Sequence, residues 1–266
     1  MLKVCRNVVC CVTSCALLIA PVHGIAQQAT SAQQATPAVP DWAIPGSATH
    51  KQVPPPPGFH RPTHTDNTPT GIFSGVSEIG GPLVTGSSSF DAKTGTYTVR
   101  SAGYNIWYGR DEFRFLWKKM SGDVSLAADV SFPEAEPPSD RKIVLVIRQN
   151  LEDDSAEAVV AEHGTGMVHI AQRPTAGANM NDLEYRFAGL LSKVMAKRIG
   201  IEKRGDTFTL YASLQGEPMH PLGPPIQLHL DGPFYVGIGF CPHLATTLDT
   251  GSFSKVVLEN RAGGVR

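Results

Sequence analysis

The chain contains 266 residues, of which 41% are apolar and 18% are charged, and its formal net charge is −1. These values are typical of a globular protein that buries a sizeable core. They exclude the strong positive excess that accompanies binding to nucleic acid or to an anionic membrane surface. We therefore expect no nucleic-acid partner.

The first 26 residues have the pattern of an export signal. Lys3 and Arg6 supply positive charge, residues 8–20 form an apolar run, and small residues at 24–26 provide a cleavage site. The apolar run is too short to span a bilayer comfortably. The pattern predicts an exported protein, periplasmic or extracellular, with no stable membrane span after cleavage. An uncleaved anchor and lipid attachment at Cys15 are the alternatives.

Cysteine usage argues against a disulfide framework. Four of the five cysteines lie within the signal, so the mature chain keeps only Cys241. Because Cys241 belongs to the apolar run FYVGIGFC, we expect a buried, inert thiol rather than a nucleophile.

Composition divides the rest of the chain into two parts. Residues 27–71 are rich in Gln, Ala, Thr and Pro, which predicts a flexible linker with polyproline character. Trp42 and Phe59 are exceptions within it that are able to dock on the neighbouring domain. From residue 72 to 262 short extended segments alternate with turn residues, which predicts one sandwich domain.

Eleven candidate strands support an all-β fold, an antiparallel two-sheet β-sandwich of jelly-roll type. They cover residues 96–101, 112–118, 123–131, 142–149, 157–162, 166–172, 197–203, 207–213, 226–229, 234–240 and 252–259. Residues 187–196 are the best candidate for a helix, although the segment is short enough to be a loop.

Two of these strands have informative faces. Strand 142–149 is apolar on both faces, which predicts a central position in a sheet. In strand 112–118, Phe113, Phe115 and Trp117 alternate with mostly polar residues and therefore share one face.

Short motifs follow one another in a fixed order after Gly103. They are Asn105-Ile106-Trp107, Asp111-Glu112-Phe113, Ser121-Gly122-Asp123, Val146-Ile147-Arg148-Gln149, Asp154-Ser155-Ala156, Gly164-Thr165-Gly166 and Gln172-Arg173. In this order they resemble the jelly-roll domain of the concanavalin A-like superfamily, above all its DUF1349 group, which is related to C-terminal sandwich domains of bacterial glycosidases. The likeness covers most of residues 80–260. It implies the fold more than the function, because such sandwiches serve enzymes, lectins and scaffolds alike.

Aromatic and planar polar residues in this region suggest a carbohydrate-binding face. Sugar recognition uses a flat aromatic surface together with side chains that hydrogen-bond to hydroxyl groups. The candidate ligand-binding residues are Trp107, Asp111, Arg148, Glu162, Gln172 and Arg173. The structural alternative is that Trp107 packs at the edge of the sandwich and that Arg148 pairs with a carboxylate.

Catalysis has weaker support. Hydrolysis of a glycoside needs two carboxylates across the scissile bond, for which Asp111 with Glu162, or Glu157 with Glu162, are the candidate pairs. A third hypothesis is an envelope scaffold, for which the sequence identifies no partner. The acidic turn at residues 152–154 suits calcium but equally suits a solvated turn, and we expect neither a metal nor a cofactor.

Overall fold

The computed structural model describes residues 54–56, 58–133, 140–187, 189 and 193–265. This part of the chain contains no helix, and therefore none long and apolar enough to cross a membrane. The candidate helix at 187–196 is turn or irregular structure where it is described, and its other residues, like the predicted signal, lie outside the described residues.

The described residues form eighteen β-strands. In chain order they are β1 (His64–Asp66), β2 (Gly75–Ile79), β3 (Ser87–Asp91), β4 (Thr96–Gly103), β5 (Ile106–Trp107), β6 (Arg110–Asp111), β7 (Phe113–Met120), β8 (Val124–Ser131), β9 (Lys142–Arg148), β10 (Glu157–His163), β11 (Met167–Arg173), β12 (Asn181–Arg186), β13 (Arg198–Arg204), β14 (Thr207–Ser213), β15 (His220–Pro221), β16 (Ile226–Gln227), β17 (Phe234–Cys241) and β18 (Leu244–Glu259).

Two large antiparallel sheets contain almost all of these strands. Sheet I has the order β1-β2-β7-β17-β9-β10-β11-β12. Sheet II has the order β15-β14-β13-β8-β18-β4-β3, with β16 beside β14. The small hairpin β5-β6 stands apart from both sheets. The predicted all-β, two-sheet sandwich of jelly-roll type is therefore confirmed.

The hydrophobic core lies between the two sheets. Alternate residues of β9, Ile143, Leu145 and Ile147, are fully buried there against residues such as Leu126 and Ile201 of sheet II. β9 pairs with β17 on one side and β10 on the other, which confirms its predicted central position. Its other face is apolar because that side of sheet I is also covered.

A second apolar cluster covers the face of sheet I that points away from sheet II, which we call the outer face. Phe113, Phe115 and Trp117 of β7 lie there together, as their alternation predicts. Gly237 and Gly239 of β17 pair with Trp117 and Phe115, and a Cβ atom on Gly237 would clash with the carbonyl oxygen of Leu116. The glycines thus permit close strand packing, as expected from the sequence.

The sandwich begins before the predicted boundary at residue 72. β1 pairs with β2 from His64 to Asp66 and extends sheet I by one strand. The Phe59 ring contacts two guanidinium groups, those of Arg61 and Arg110, each 5.0 Å from the ring centre. Residues 58–71 therefore belong to the folded domain. The sequence pattern did not indicate this, because a polar strand added at the edge of a sheet needs no apolar pattern of its own.

Candidate functional site

The strands β9, β10 and β11 carry polar side chains at both of their ends on the outer face. At one end Glu157 lies between Arg148 and Arg173 in the strand register. At the other end His163 lies beside Lys142. We call the first group the ionic end and the second the cleft end.

The ionic end is a fully buried cluster of two arginines and two carboxylates. The Arg173 guanidinium donates to both carboxylate oxygens of Asp111, at 2.6 and 2.8 Å. Arg148 donates to the same carboxylate at 3.3 Å. Glu157 lies farther from both, 3.4 Å from Arg173 and 3.5 Å from Arg148. Asp111 is therefore the principal counterion of the two arginines.

Burial and charge act in different directions within this cluster. Burial by itself lowers the pKa of Arg173, but the charge and hydrogen bonds of Asp111 raise it above its ordinary value. Burial raises the pKa of Glu157, and the nearby charge of Asp111 raises it further. The guanidinium of Arg173 thus stays charged and holds Asp111 in place.

The acidic turn at 152–154 contributes to this network. The Asp153 carboxylate accepts a hydrogen bond from Arg110 at 3.0 Å and faces His60 at 2.8 Å. The carbonyl oxygen of Glu152 accepts from Arg148 at 2.6 Å. Across the described ranges no group of three or more acidic, histidine or cysteine side chains is arranged to hold a metal ion.

Arg173 also positions the β5-β6 hairpin. Its guanidinium donates to the carbonyl oxygen of Tyr108 at 3.3 Å, while it holds Asp111 at the end of the same hairpin. Tyr108 adopts φ of 51°, the left-handed region that a residue with a large side chain rarely adopts. The buried arginine therefore fixes the turn that carries Trp107 and Tyr108.

The hairpin borders a cleft of about 280 Å³. The floor of this cleft is the cleft end of β9, β10 and β11. Aromatic, basic and acidic side chains surround this opening. They are Trp107, Tyr108, Asp140, Lys142, His163, Met167, His169 and Glu184. The Trp107 indole is partly exposed, and its ring centre lies 5.7 Å from that of His169.

The two histidines of the cleft are neutral. Burial, with help from the nearby charge of Lys142, lowers the pKa of His169 to about 3. The same two causes lower the pKa of His163 well below its ordinary value. The rings hydrogen-bond to each other, with His163 Nε2 and His169 Nδ1 3.2 Å apart. One ring donates and the other accepts, so the pair presents polar groups without charge.

Lys142 lies in the same cleft and is almost fully buried. Its Nζ donates to Asn105 Oδ1 at 2.5 Å. Burial lowers the pKa of the Lys142 amine, and the negative groups nearby only partly oppose this effect. Cys241, in the same row of the sheet, is a buried free thiol whose pKa burial raises to about 12, in agreement with the inert role predicted for it.

The structure does not bring the six predicted ligand-binding residues to one surface. Trp107 borders the cleft, whereas Asp111, Arg148 and Arg173 form the ionic end and have no exposed side-chain surface. The structural alternative for Arg148, pairing with a carboxylate, is what the structure shows. A ligand role for these three stays a prediction and would require the cluster to open.

Glu162 and Gln172 correct the expectation of a common face. By strand alternation both point to the opposite side of sheet I from Glu157 and Arg173. Glu162 is fully buried and accepts a hydrogen bond from the Ala196 amide at 2.6 Å. Burial raises the pKa of its carboxyl to about 8. Neither carboxylate pair that was predicted for hydrolysis therefore spans an open site.

Sequence reasoning missed most of the residues that line the cleft. The available signal was that His163 and His169 flank the turn Gly164-Thr165-Gly166 at odd positions, so they share the face of Arg173. Lys142 faces the same way because it pairs with His163. No local pattern identifies Asp140 or Glu184, which reach the cleft from a loop and from the edge strand β12.

Comparisons with known proteins agree on the fold. No protein-family model and no curated protein sequence matches this chain. A functionally unknown protein from Saccharomyces cerevisiae has a TM-score of 0.50 at 14% identity, over 76% of this chain and 97% of its own.

Two further solved structures are similar at lower scores. A carbohydrate-binding module from Bacillus subtilis has a TM-score of 0.42 at 13% identity, over 66% of this chain and 92% of its own. Lectin I-B4 from Griffonia simplicifolia has a TM-score of 0.44 at 10% identity, over 75% of this chain and 99% of its own. At such identities structural likeness concerns the fold and leaves the function to be argued from the site.

Proposed function

We propose that this protein binds carbohydrate, without catalysis, in the cleft beside the β5-β6 hairpin. The observation that carries the proposal is the partly exposed Trp107 ring, held over a row of polar side chains on the face of sheet I. A pyranose ring has apolar faces that pack on an aromatic ring, and hydroxyl groups around its edge that need hydrogen-bond partners.

The polar groups of the cleft suit hydroxyl groups. The neutral His163–His169 pair offers both a donor and an acceptor, while Asp140 and Glu184 offer acceptors. The turn bearing Trp107 is held by the buried Arg173, so the aromatic surface is positioned before a ligand arrives. Such preorganisation reduces the entropic cost of binding.

The positions of the two carboxylate pairs expected from the sequence support binding without hydrolysis. Asp111 is held by two arginines, and Glu162 points to the opposite side of the sheet. A carboxylate fixed in this way is not free to act as general acid or nucleophile at the cleft. A reducing-sugar assay on every glycan that binds should therefore show no release of product.

The test is a glycan array followed by isothermal titration with the best ligands. Trp107→Ala should weaken binding by about tenfold or more, since truncation of an aromatic residue that dominates a binding surface costs about 2 kcal/mol or more. Phe90→Ala is the matched control, because Phe90 is exposed on β3 of the other sheet. Folded protein that binds no glycan, or unchanged affinity in Trp107→Ala, contradicts the proposal.

Export and membership of the DUF1349 group complete the proposed function. The signal pattern of residues 1–26 supports export, and the order of motifs after Gly103 supports the group. Intact mass measurement on protein recovered from outside the cytoplasm should show a chain that starts at Gln27. A full-length chain recovered from the cytoplasm contradicts export.

A further inference from the structure

Lys142 differs from the buried arginines of this protein in its surroundings. Arg110, Arg141, Arg148 and Arg173 each form an ion pair with a carboxylate. Within the described ranges Lys142 forms none, and its hydrogen bond goes to the neutral amide oxygen of Asn105. Lys142 is thus a buried amine without an ionic partner at the floor of an open cleft.

The amine has unused hydrogen-bonding capacity. A lysine ammonium group carries three donors, and Asn105 Oδ1 takes one of them. The Asn105 amide nitrogen is also buried and has no hydrogen-bond partner. The unused N–H groups of Lys142 and the buried Asn105 amide nitrogen favour an incoming acceptor, and a buried cation that forms no ion pair among the described residues favours an anionic one.

We infer that the cleft recognises an acidic sugar, a uronic acid residue whose carboxylate pairs with Lys142 while its ring packs on Trp107. This inference rests on the proposed function and names its ligand class. Asp140 and Glu184 also line the cleft, and they repel additional negative charge. The ligand is therefore a single uronic acid residue within a glycan rather than a densely sulfated polymer.

The experiment compares each acidic ligand with its neutral counterpart. The probes are trisaccharides of galacturonic acid and of glucuronic acid, together with the same trisaccharides after chemical reduction of their carboxyl groups. The wild-type protein should bind one acidic trisaccharide about tenfold or more tightly than its reduced form, as expected for a hydrogen bond to a charged group.

Lys142→Met should remove this preference and leave the affinity for the reduced trisaccharide within about twofold. Lys118→Met is the matched control, because Lys118 is exposed on β7. The control should keep the full preference for the acidic form. Thermal unfolding of each variant shows that it is folded.

Asn105→Asp provides a second variant that keeps the shape of the site. The new carboxylate still accepts from Lys142 and from the Ile106 amide, which Asn105 Oδ1 binds at 3.0 Å. It gives Lys142 an internal counterion, so the acidic trisaccharide should lose its advantage while the reduced form still binds.

Three outcomes overturn the inference. Equal affinity of the wild-type protein for acidic and reduced forms does so, as does an unchanged preference in Lys142→Met. Equal weakening of both forms in Lys142→Met assigns Lys142 a structural role instead. In all three cases the proposed function stands, because sugars still bind. If no trisaccharide and no glycan on the array binds the folded protein, the proposed function itself fails.

Discussion

The two ends of β9, β10 and β11 differ in how the charges of their buried ionisable side chains are compensated. Both place ionisable side chains in buried positions on the outer face. At the ionic end two arginines face two carboxylates within 2.6–3.5 Å. At the cleft end Lys142 has no carboxylate partner among the described residues, and His163 and His169 hydrogen-bond to each other.

This difference separates a structural role from a binding role. The charges of the ionic end compensate one another and their side chains have no exposed surface, so this end is closed to a ligand. Groups that remain neutral or unpaired keep capacity for an incoming partner, and the cleft opens where they lie. Burial perturbs pKa values at both ends, so the cleft end is marked as the functional one by its opening and by ionisable groups that form no ion pair among the described residues.

The largest effect on stability is expected when one charge is removed from the ionic end. Arg173→Met should lower the free energy of unfolding by about 3–5 kcal/mol, because it leaves buried carboxylates with one fewer cation. Urea denaturation at neutral pH measures the loss. Arg261→Met, which breaks an exposed pair with Glu259, should cost at most about 1 kcal/mol. Similar losses for the two variants would contradict the role given to the ionic end.

Glu162 offers a pH test close to the cleft end, on the opposite face of β10. In the unfolded chain its carboxyl ionises near the ordinary pKa of 4.5, and in the folded protein at about 8. Ionisation thus favours the unfolded chain as the pH rises from about 4.5 to 8, and stability falls. The stability lost between about pH 5 and 9 should be roughly 1–3 kcal/mol smaller in Glu162→Gln than in wild type.

Glu152→Gln serves as the control for this measurement, because Glu152 is exposed. It should lose as much stability over the same pH range as the wild-type protein does. A Glu162→Gln profile identical to that of wild type would show that Glu162 does not carry the raised pKa.

For His169 the expected pH dependence of stability is the opposite, with a loss of stability at acidic pH. In the unfolded chain its imidazole gains a proton near pH 6.5, whereas the folded protein resists protonation down to about pH 3. Stability therefore falls as the pH decreases through this window. Between about pH 7 and 4.5 the loss should be roughly 1–2 kcal/mol smaller in His169→Gln, measured by urea denaturation. His220→Gln, an exposed substitution, should retain the wild-type loss.

The smallest effect is expected at Lys142, which forms no ion pair with a carboxylate among the described residues. Lys142→Met should leave the free energy of unfolding unchanged or raise it by up to about 1 kcal/mol, since it removes a buried amine at little cost in packing. Asn105 Oδ1 still accepts from the Ile106 amide after this change. A loss comparable to that of Arg173→Met would mean that Lys142 has a counterion in the folded protein.

Most of sheet I and sheet II was predictable because long strands alternate. The predicted strand at 157–162 corresponds to β10, and the predicted strand at 207–213 has the observed bounds of β14. β1, β3 and β12 escaped prediction and lie at the edges of the sheets, where each pairs with one neighbour, and the buried strand β2 escaped prediction as well. β1 and β3 carry no apolar alternation that would distinguish them from loops, whereas Leu183 and Tyr185 of β12 alternate and pack against the core.

The candidate site was predictable only in part. Of the six predicted ligand-binding residues, Trp107 lines the cleft. Alternation determines which side of a strand Glu162 or Arg173 faces, but the sequence does not show which end of that face a loop will cover. The prediction therefore combined residues of the buried ionic end with residues of the opposite face.

The sequence by itself determined the sandwich, because turn spacing and alternation of side chains act within a few residues of each other. Only the tertiary structure decided which charges compensate one another. Arg173 and Asp111 are 62 residues apart, and Lys142 and Asn105 are 37 residues apart. Such partners meet only after the sheets assemble, since electrostatic pairing depends on distance in space and on burial, neither of which local sequence encodes.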